Sequence, residues 1–232
     1  MKKSSLFTPV ERIDGKTEQR NRAEKHMHFL RYRHAASLLQ RNKHILDIAC
    51  GYGYGSRELH DITGAAVDGI DISSEAVRYA TDHYAIKGIT YRAGSITDIP
   101  AKDYTYDAIV SYETIEHVSY KDGVKALDEL HRVLKPGGHL LISTPNRIYT
   151  YMLQLVGYRN PFHIYEYYPA ELRTLLKHHG FSIQATYGQS ICFPPTYYLA
   201  RREIIPSGYF YPSRYLPGEL SMIAIIHAVK QS

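Results

Sequence analysis

The chain reads as an α/β fold with a mostly parallel seven-stranded sheet, helices on both faces and an antiparallel strand pair at the C-terminal end. Three observations predict it. Strand-length apolar runs alternate with helical stretches between residues 44 and 145, the pattern of parallel strands joined by crossover helices. The first strand ends in glycines at alternate positions, Gly51, Gly53 and Gly55. The last two apolar runs have no helix between them, which predicts antiparallel pairing.

The elements follow in order. A helical pattern covers about residues 18–40, with Phe29, Ala36 and Leu39 on one side and charges on the other. A buried strand is expected over 44–49, then a helix over 54–62, a strand over 66–70 and a helix over 74–86. A short strand at 89–92 and a strand at 106–111 come next. The helix over 121–134 stops at Lys135-Pro136-Gly137-Gly138, where proline and glycine end it, before a strand over 139–144. Beyond that, a helix over 169–179 ends at Gly180, and strands are read at 181–185 and 222–228. Residues 190–220 are rich in Pro and Tyr without a clear period, as in a functional loop or lid. The expected organisation is one domain with three parts: a basic helical segment (1–43) over the ligand site, a core (44–145), and acceptor-binding elements with the antiparallel strands (146–232).

At 232 residues the chain is long enough for one α/β domain with insertions, and its 44% apolar and 22% charged residues are ordinary for a globular protein. No apolar run approaches the roughly 20 residues that span a bilayer, and no apolar stretch follows the basic start as in a signal peptide. With two cysteines, one of them inside the glycine turn, a reduced cytoplasmic protein is expected. The net charge of +5 is uneven: residues 1–43 carry eleven Lys/Arg against four Asp/Glu. That segment is either a solvated helix face or a surface for an anionic partner, such as a substrate diphosphate or an acidic membrane. Nucleic acid is not expected, because the charge sits at one terminus without a basic-aromatic reading motif.

The chemistry starts at the glycine turn. An apolar strand, a tight glycine turn and a helix N-terminus form a pocket where backbone faces the ligand. The second strand ends at Asp71, a little over twenty residues on, where a carboxylate accepts from both hydroxyls of a ribose. The ligand is therefore built on a nucleoside. A dinucleotide site needs a third glycine where Ser56 stands, and the chain leaves little room for a separate substrate domain.

At these residues the sequence resembles the class I S-adenosylmethionine-dependent methyltransferases, with their Rossmann-like fold, over nearly its whole length. The run Asp47-Ile48-Ala49-Cys50-Gly51-Tyr52-Gly53-Tyr54-Gly55 looks like the family's glycine motif, and Asp71 like its ribose acid. Gly94-Ser95-Ile96-Thr97-Asp98-Ile99-Pro100 resembles the segment flanking the adenine, with Ser95 where many relatives carry an acid. Asp107 to Val118 looks like the fourth strand and its Glu-His-Val exit, and Arg132 to Gly138 like the segment before the fifth. The resemblance implies S-adenosylmethionine as cofactor, held by Arg31, Tyr32, Asp47, Ala49, Gly51, Gly53, Asp71, Ile72, Ser95, Ile96, Ser111 and Tyr112. Arg31 is the candidate partner of the cofactor's carboxylate, or else belongs to the basic helix face. His28 to Tyr32 and Asn160 to Tyr167 resemble methyltransferases that accompany polysaccharide assembly. A sugar or glycan hydroxyl is therefore the expected acceptor, and a quinone, phenol or other natural product the alternative. A silent binding module with the same fold is the third reading, supported by Ser95.

Methyl transfer from a sulfonium is an in-line displacement, so placement of the nucleophile carries much of the rate. An alcohol also needs its proton removed, and a positioned base typically contributes about 10²–10⁴-fold. His117 is the first candidate. It leaves the C-terminal end of the fourth strand, where ligands bind in open α/β sheets, and imidazole titrates near neutrality. The plain alternative is a capping or packing histidine. Glu113 and Glu116 are the other candidate bases. His163, Glu166 and Tyr167 are candidate acceptor contacts, or residues that shape the turn before the next helix. Twelve of the 22 tyrosines follow residue 148; they suit sugar rings or a lipid carrier, or simply pack. With no Cys/His metal spacing and no compact acidic cluster, a metal-independent mechanism is expected.

Overall fold

The computed structural model describes residues 22–155, 157, 159–191, 210–212 and 221–232. It contains one sheet in the order β3-β2-β1-β4-β5-β8-β6-β7. The strands are β1 (His44–Ile48), β2 (Ala66–Asp71), β3 (Ile89–Ala93), β4 (Tyr106–Tyr112), β5 (Leu134–Pro145), β6 (Phe181–Ile191), β7 (Phe210–Pro212) and β8 (Ser221–Lys230). Strands β1 to β5 are parallel. β8 lies between β5 and β6 and is antiparallel to both.

The strands match the alternation in the sequence, with three differences. The sheet has eight strands rather than seven, because Phe210–Pro212 adds an antiparallel edge to β6; three residues are too few for a period-two pattern to be read. β6 runs on to Ile191, and β5 begins at Leu134, so the Lys-Pro-Gly-Gly stretch is carried inside a strand whose pairing with β4 shifts register between Tyr106 and Ala108. The rest of the expected lid, 192–209 and 213–220, lies outside the described residues.

The helices are α1 (Arg22–Leu38), α2 (Tyr54–Thr63), α3 (Ser74–Tyr84), α4 (Tyr120–Val133), α5 (Arg147–Leu155) and α6 (Pro169–His178). Ser73 and Ser119 cap α3 and α4 by accepting the N–H of Ala76 and Asp122. α5 was not expected from the sequence: its start follows Asn146, whose Oδ1 accepts the Ile148 N–H at 3.0 Å. The β1 side chains alternate across the sheet. Leu46 and Ile48 pack with Leu127 and Leu130 of α4 and Leu172 and Leu176 of α6. Ile45 packs with Ala35 and Ala36 of α1 and Leu59 of α2.

Part of the basic charge of α1 is already engaged. Arg33 pairs with Glu58 at 2.8 Å, and fully buried Arg31 donates to Gln189 Oε1 at 2.8 Å. Residues before 22 lie outside the described residues. No helix among the described residues is long and apolar enough to cross a membrane.

Candidate active site

The strand order reverses at β1 and β4, and a cavity of about 720 Å³ opens beyond the C-terminal ends of β1, β2 and β4. Ligands bind at such a switch point because the flanking loops diverge there.

One wall is the turn after β1. Ala49, Gly51 and Gly53 have φ of 62°, 54° and 87°, the left-handed region that strains every residue with a Cβ. A Cβ on Gly51 would meet nothing within 4 Å, so bare backbone faces the cavity. Gly51 N–H donates to Asp71 Oδ2 at 2.9 Å and Ser73 N–H to Asp71 Oδ1 at 2.8 Å. Two backbone N–H groups thus aim the carboxylate of Asp71, which lines the cavity. Ala49, Ile72, Ser95 and Ile96 line it as well, and Ile72 is 74% exposed, an apolar face free for a flat base. Ser95 Oγ is turned to Thr97, 2.9 Å from its hydroxyl.

Asp47 and Gly53 lie beneath this wall. Asp47 is fully buried and accepts from Tyr32 Oη at 3.0 Å and Ser56 Oγ at 2.6 Å. Burial pushes its carboxyl from 3.8 up to about 7, against the pull of those two hydroxyls. Tyr32, from α1, lies across Gly55, where a Cβ would strike its ring, and lines the cavity beside Tyr112 and His28. The raised Asp47 carboxyl has a consequence for stability. Its protonated form is favoured by folding, so its contribution is fully present below about pH 4 and is lost as pH rises through about 7. In cofactor-free protein, urea unfolding at pH 5 and pH 8 should show a loss that Asp47→Asn reduces, by up to about 2.5 kcal/mol. Equal pH dependence in the two proteins would refute this.

The other wall follows β4. Glu113 has φ of 48°, a strained position that Ser143 holds: Ser143 O and Oγ accept the Glu113 N–H, each at 3.2 Å, and Ser143 Oγ donates to Glu113 Oε1 at 2.7 Å. A 3₁₀ turn, Ile115–His117, follows. Glu116 is fully buried; Oε2 accepts from Thr144 Oγ1 at 3.0 Å, and Oε1 has no hydrogen-bond partner. Burial, with the Glu113 charge second, pushes its carboxyl well above the usual range. The Glu116 carbonyl accepts the N–H groups of Ile164 and Tyr165 at 2.8 and 3.1 Å. These two bonds pin the loop before α6 onto the site.

That loop brings His163 to His117, with ring centroids 5.3 Å apart. His117 Nδ1 lies 3.1 Å from the Phe162 carbonyl and Nε2 lies 4.0 Å from Glu116 Oε1. A carbonyl only accepts, so Nδ1 carries the hydrogen of the neutral ring and Nε2 the lone pair. His163 Nδ1 likewise donates to Glu166 Oε1 at 2.9 Å, and its Nε2 accepts from Asn160 Nδ2 at 2.8 Å. Thr150 Oγ1 donates to Glu166 Oε2 at 2.6 Å. Burial pushes the Glu166 carboxyl up, but the His163 and Thr150 hydrogen bonds outweigh it and the net shift is down.

Glu113, Glu116, His117 and His163 therefore share the cavity with Asp71, Gly51, Ala49, Ile72, Ser95, Ile96, Tyr32 and Tyr112. Six other sequence candidates do not line it. Asp47 and Gly53 support the glycine turn, and Ser111 is fully buried within β4. Glu166 acts on His163. Tyr167 corrects the expectation of an acceptor contact: it is fully buried in the core, its hydroxyl against Gly123. Arg31 lies behind the lining, its Nε and Nη2 buried without a hydrogen-bond partner. The sequence reading missed Asn160, Phe162 and His28 as lining residues, although they fall inside segments it had singled out. It also missed Ser143 and Thr144, whose signal was two hydroxyls at the end of a buried strand.

A strand–glycine turn–helix unit, an acid closing β2 and a polar exit from β4 are the parts of a nucleoside-type binding site. A family profile described as a methyltransferase domain matches residues 46–142, from β1 into β5. Over that stretch the chain is similar to S-adenosylmethionine-dependent methyltransferases. A probable S-adenosylmethionine-dependent methyltransferase of Mycolicibacterium smegmatis is 35% identical over 144 residues, 62% of this chain and 54% of that protein. A ubiquinone biosynthesis O-methyltransferase of Xylella fastidiosa is 35% identical over 157 residues, 62% of this chain and 63% of that one. The chain thus spans between half and two thirds of these relatives' length. Magnesium protoporphyrin IX methyltransferase of Synechocystis, solved with bound SAH, superposes with a TM-score of 0.66 at 19% identity, covering 94% of this chain and 90% of that one. At that identity the likeness is one of fold.

Proposed function

We propose that the protein transfers a methyl group from S-adenosylmethionine to a hydroxyl oxygen of a compact small molecule of the phenol type. The observation that carries this is one cavity with two unlike ends, Asp71 and the glycine turn at one and Glu116, His117 and His163 at the other. The first end fits the nucleoside part of the cofactor: Gly51 leaves open space where a Cβ would stand, and the Asp71 carboxylate, aimed by two N–H groups, faces the cavity as the ribose acid. Ile72 and Ile96 offer apolar contact to the base. The buried Nε and Nη2 of Arg31 supply the positive charge that favours the cofactor's carboxylate on that side. When bound, the cofactor supplies a methyl on a sulfonium, which leaves in line with the incoming oxygen.

His117 Nε2 takes the acceptor proton, its ring held by the Phe162 carbonyl, while His163 and Asn160 line the acceptor end beside it. The relatives include a ubiquinone biosynthesis O-methyltransferase, which favours a phenol over the glycan expected from the sequence.

Two measurements test the reading. S-adenosylhomocysteine should bind the wild type in the micromolar range, and Asp71→Ala should weaken it by about 10–100-fold, the worth of hydrogen bonds to a charged group; no binding by the wild type refutes the cofactor assignment. Radiolabelled S-adenosylmethionine incubated with catechol-type phenols and with sugar nucleotides should then label the phenols. Label confined to the sugars would return the acceptor to the glycan class.

A further inference from the structure

One part of this cavity is built for more than a proton transfer. One ligating atom each from Glu116, His117 and His163 lie within 4.8 Å of one another. The carboxylate oxygen facing His117, Glu116 Oε1, is fully buried and has no hydrogen-bond partner, which is costly for a group that water would otherwise solvate. Both imidazoles are held from behind: His117 Nδ1 by the Phe162 carbonyl at 3.1 Å, His163 Nδ1 by the Glu166 carboxylate at 2.9 Å. This is how metal-bound histidines are commonly oriented, with one nitrogen donating outward and the other left as ligand. Asn160 Nδ2 now meets His163 Nε2 at 2.8 Å and would give way to a stronger electron acceptor.

We propose that Glu116, His117 and His163 bind one divalent transition-metal cation, of the zinc or manganese class, at the acceptor end of the cavity. Two imidazoles and one carboxylate suit such ions better than magnesium or calcium, which prefer all-oxygen shells. Three protein ligands also leave a coordination position for a small molecule. At metal–ligand distances of about 2.0–2.2 Å, two ligands of one ion stand roughly 3.3–3.6 Å apart, so the side chains close by about 1 Å on loading. The pairing of His117 with His163 depends on the loop held by the Glu116 carbonyl, so the ligand set exists only in the folded chain.

The role of the cation rests on the proposed methyl transfer. When bound, it would draw electron density from the acceptor hydroxyl and lower its proton affinity, the task that His117 performs without it. With the cation bound, His117 Nε2 would be a ligand and no longer the base, so as the acceptor O–H bond breaks its proton would pass to water. An O–C bond forms as the S–C bond breaks, and the S–C electron pair stays on sulfur, so no oxidant or further reactant is required.

Tag-free full-length protein, stripped with chelator, is titrated calorimetrically with Zn²⁺, Mn²⁺ and Mg²⁺ in turn, with S-adenosylhomocysteine binding measured on the same samples. One equivalent of Zn²⁺ or Mn²⁺ should bind in the low micromolar range or tighter, and Mg²⁺ at least tenfold more weakly. Glu116→Gln and His163→Ala should each weaken Zn²⁺ binding at least tenfold while S-adenosylhomocysteine affinity stays within threefold. Because the chain holds 13 histidines, His179→Ala serves as control; His179 pairs with Asp128 away from the cavity, and its loss should change nothing. The site is overturned if the wild type binds no stoichiometric Zn²⁺ or Mn²⁺, or if either ligand variant binds as the wild type does. Loss of S-adenosylhomocysteine binding by the wild type would instead strike the proposed function.

Discussion

Replacing His117 by alanine should lower kcat by about 10²–10⁴-fold, the usual worth of a positioned base, with S-adenosylhomocysteine affinity within threefold of wild type. The separation follows from the sheet. Asp71 ends β2 and His117 follows β4, with β1 between them; two strand spacings are about 10 Å, beyond the reach of one imidazole. The loss is expected whether Nε2 takes the proton or helps hold a cation. A chelator separates the two, since it abolishes wild-type turnover only in the second case. Steady-state kinetics with the labelled phenol give the test, and turnover of the variant within threefold of wild type would remove His117 from the mechanism.

Gly53→Ala should destabilise the fold strongly. Gly53 sits at φ 87°, and its Cβ would lie 2.6 Å from the Ala80 Cβ and 2.9 Å from the Tyr91 ring. Tyr91 has little freedom to retreat, because its hydroxyl donates to the Gly53 carbonyl at 2.8 Å. Left-handed strain adds about 1 kcal/mol and overpacking about 1–3 kcal/mol, so a loss of about 2–4 kcal/mol is expected. For a chain of this size that lowers Tm by about 4–16 °C, readable by calorimetry on cofactor-free protein. A drop of less than 2 °C would mean that the turn relaxes in a way the packing around Tyr91 does not suggest.

The sequence carried the cofactor half of the site further than the acceptor half. The glycine turn, Asp71 and the Glu-His exit are short segments at strand ends, and the apolar runs around them locate those ends. Asp47 shows the limit of such reading. It stands in the same run, but its alternate position turns it away from the cavity, under the turn and onto Tyr32 and Ser56. Tyr167 and Glu166 are a similar case: neighbours in one quoted segment, one went to the core and the other to His163.

The sequence by itself determined the order of strands and helices through β5, because hydrophobic period and turn chemistry are local properties. It also determined the nucleoside site, which is built from consecutive residues at two strand ends. Only the tertiary structure decided that β8 would slot between β5 and β6, that Phe210–Pro212 would add an eighth strand, and that His163 would meet His117 and Glu116. Those outcomes rest on hydrogen bonds between segments far apart in the chain, such as the Glu116 carbonyl to the Ile164 and Tyr165 N–H groups. No residue pattern within either segment records a partner that distant.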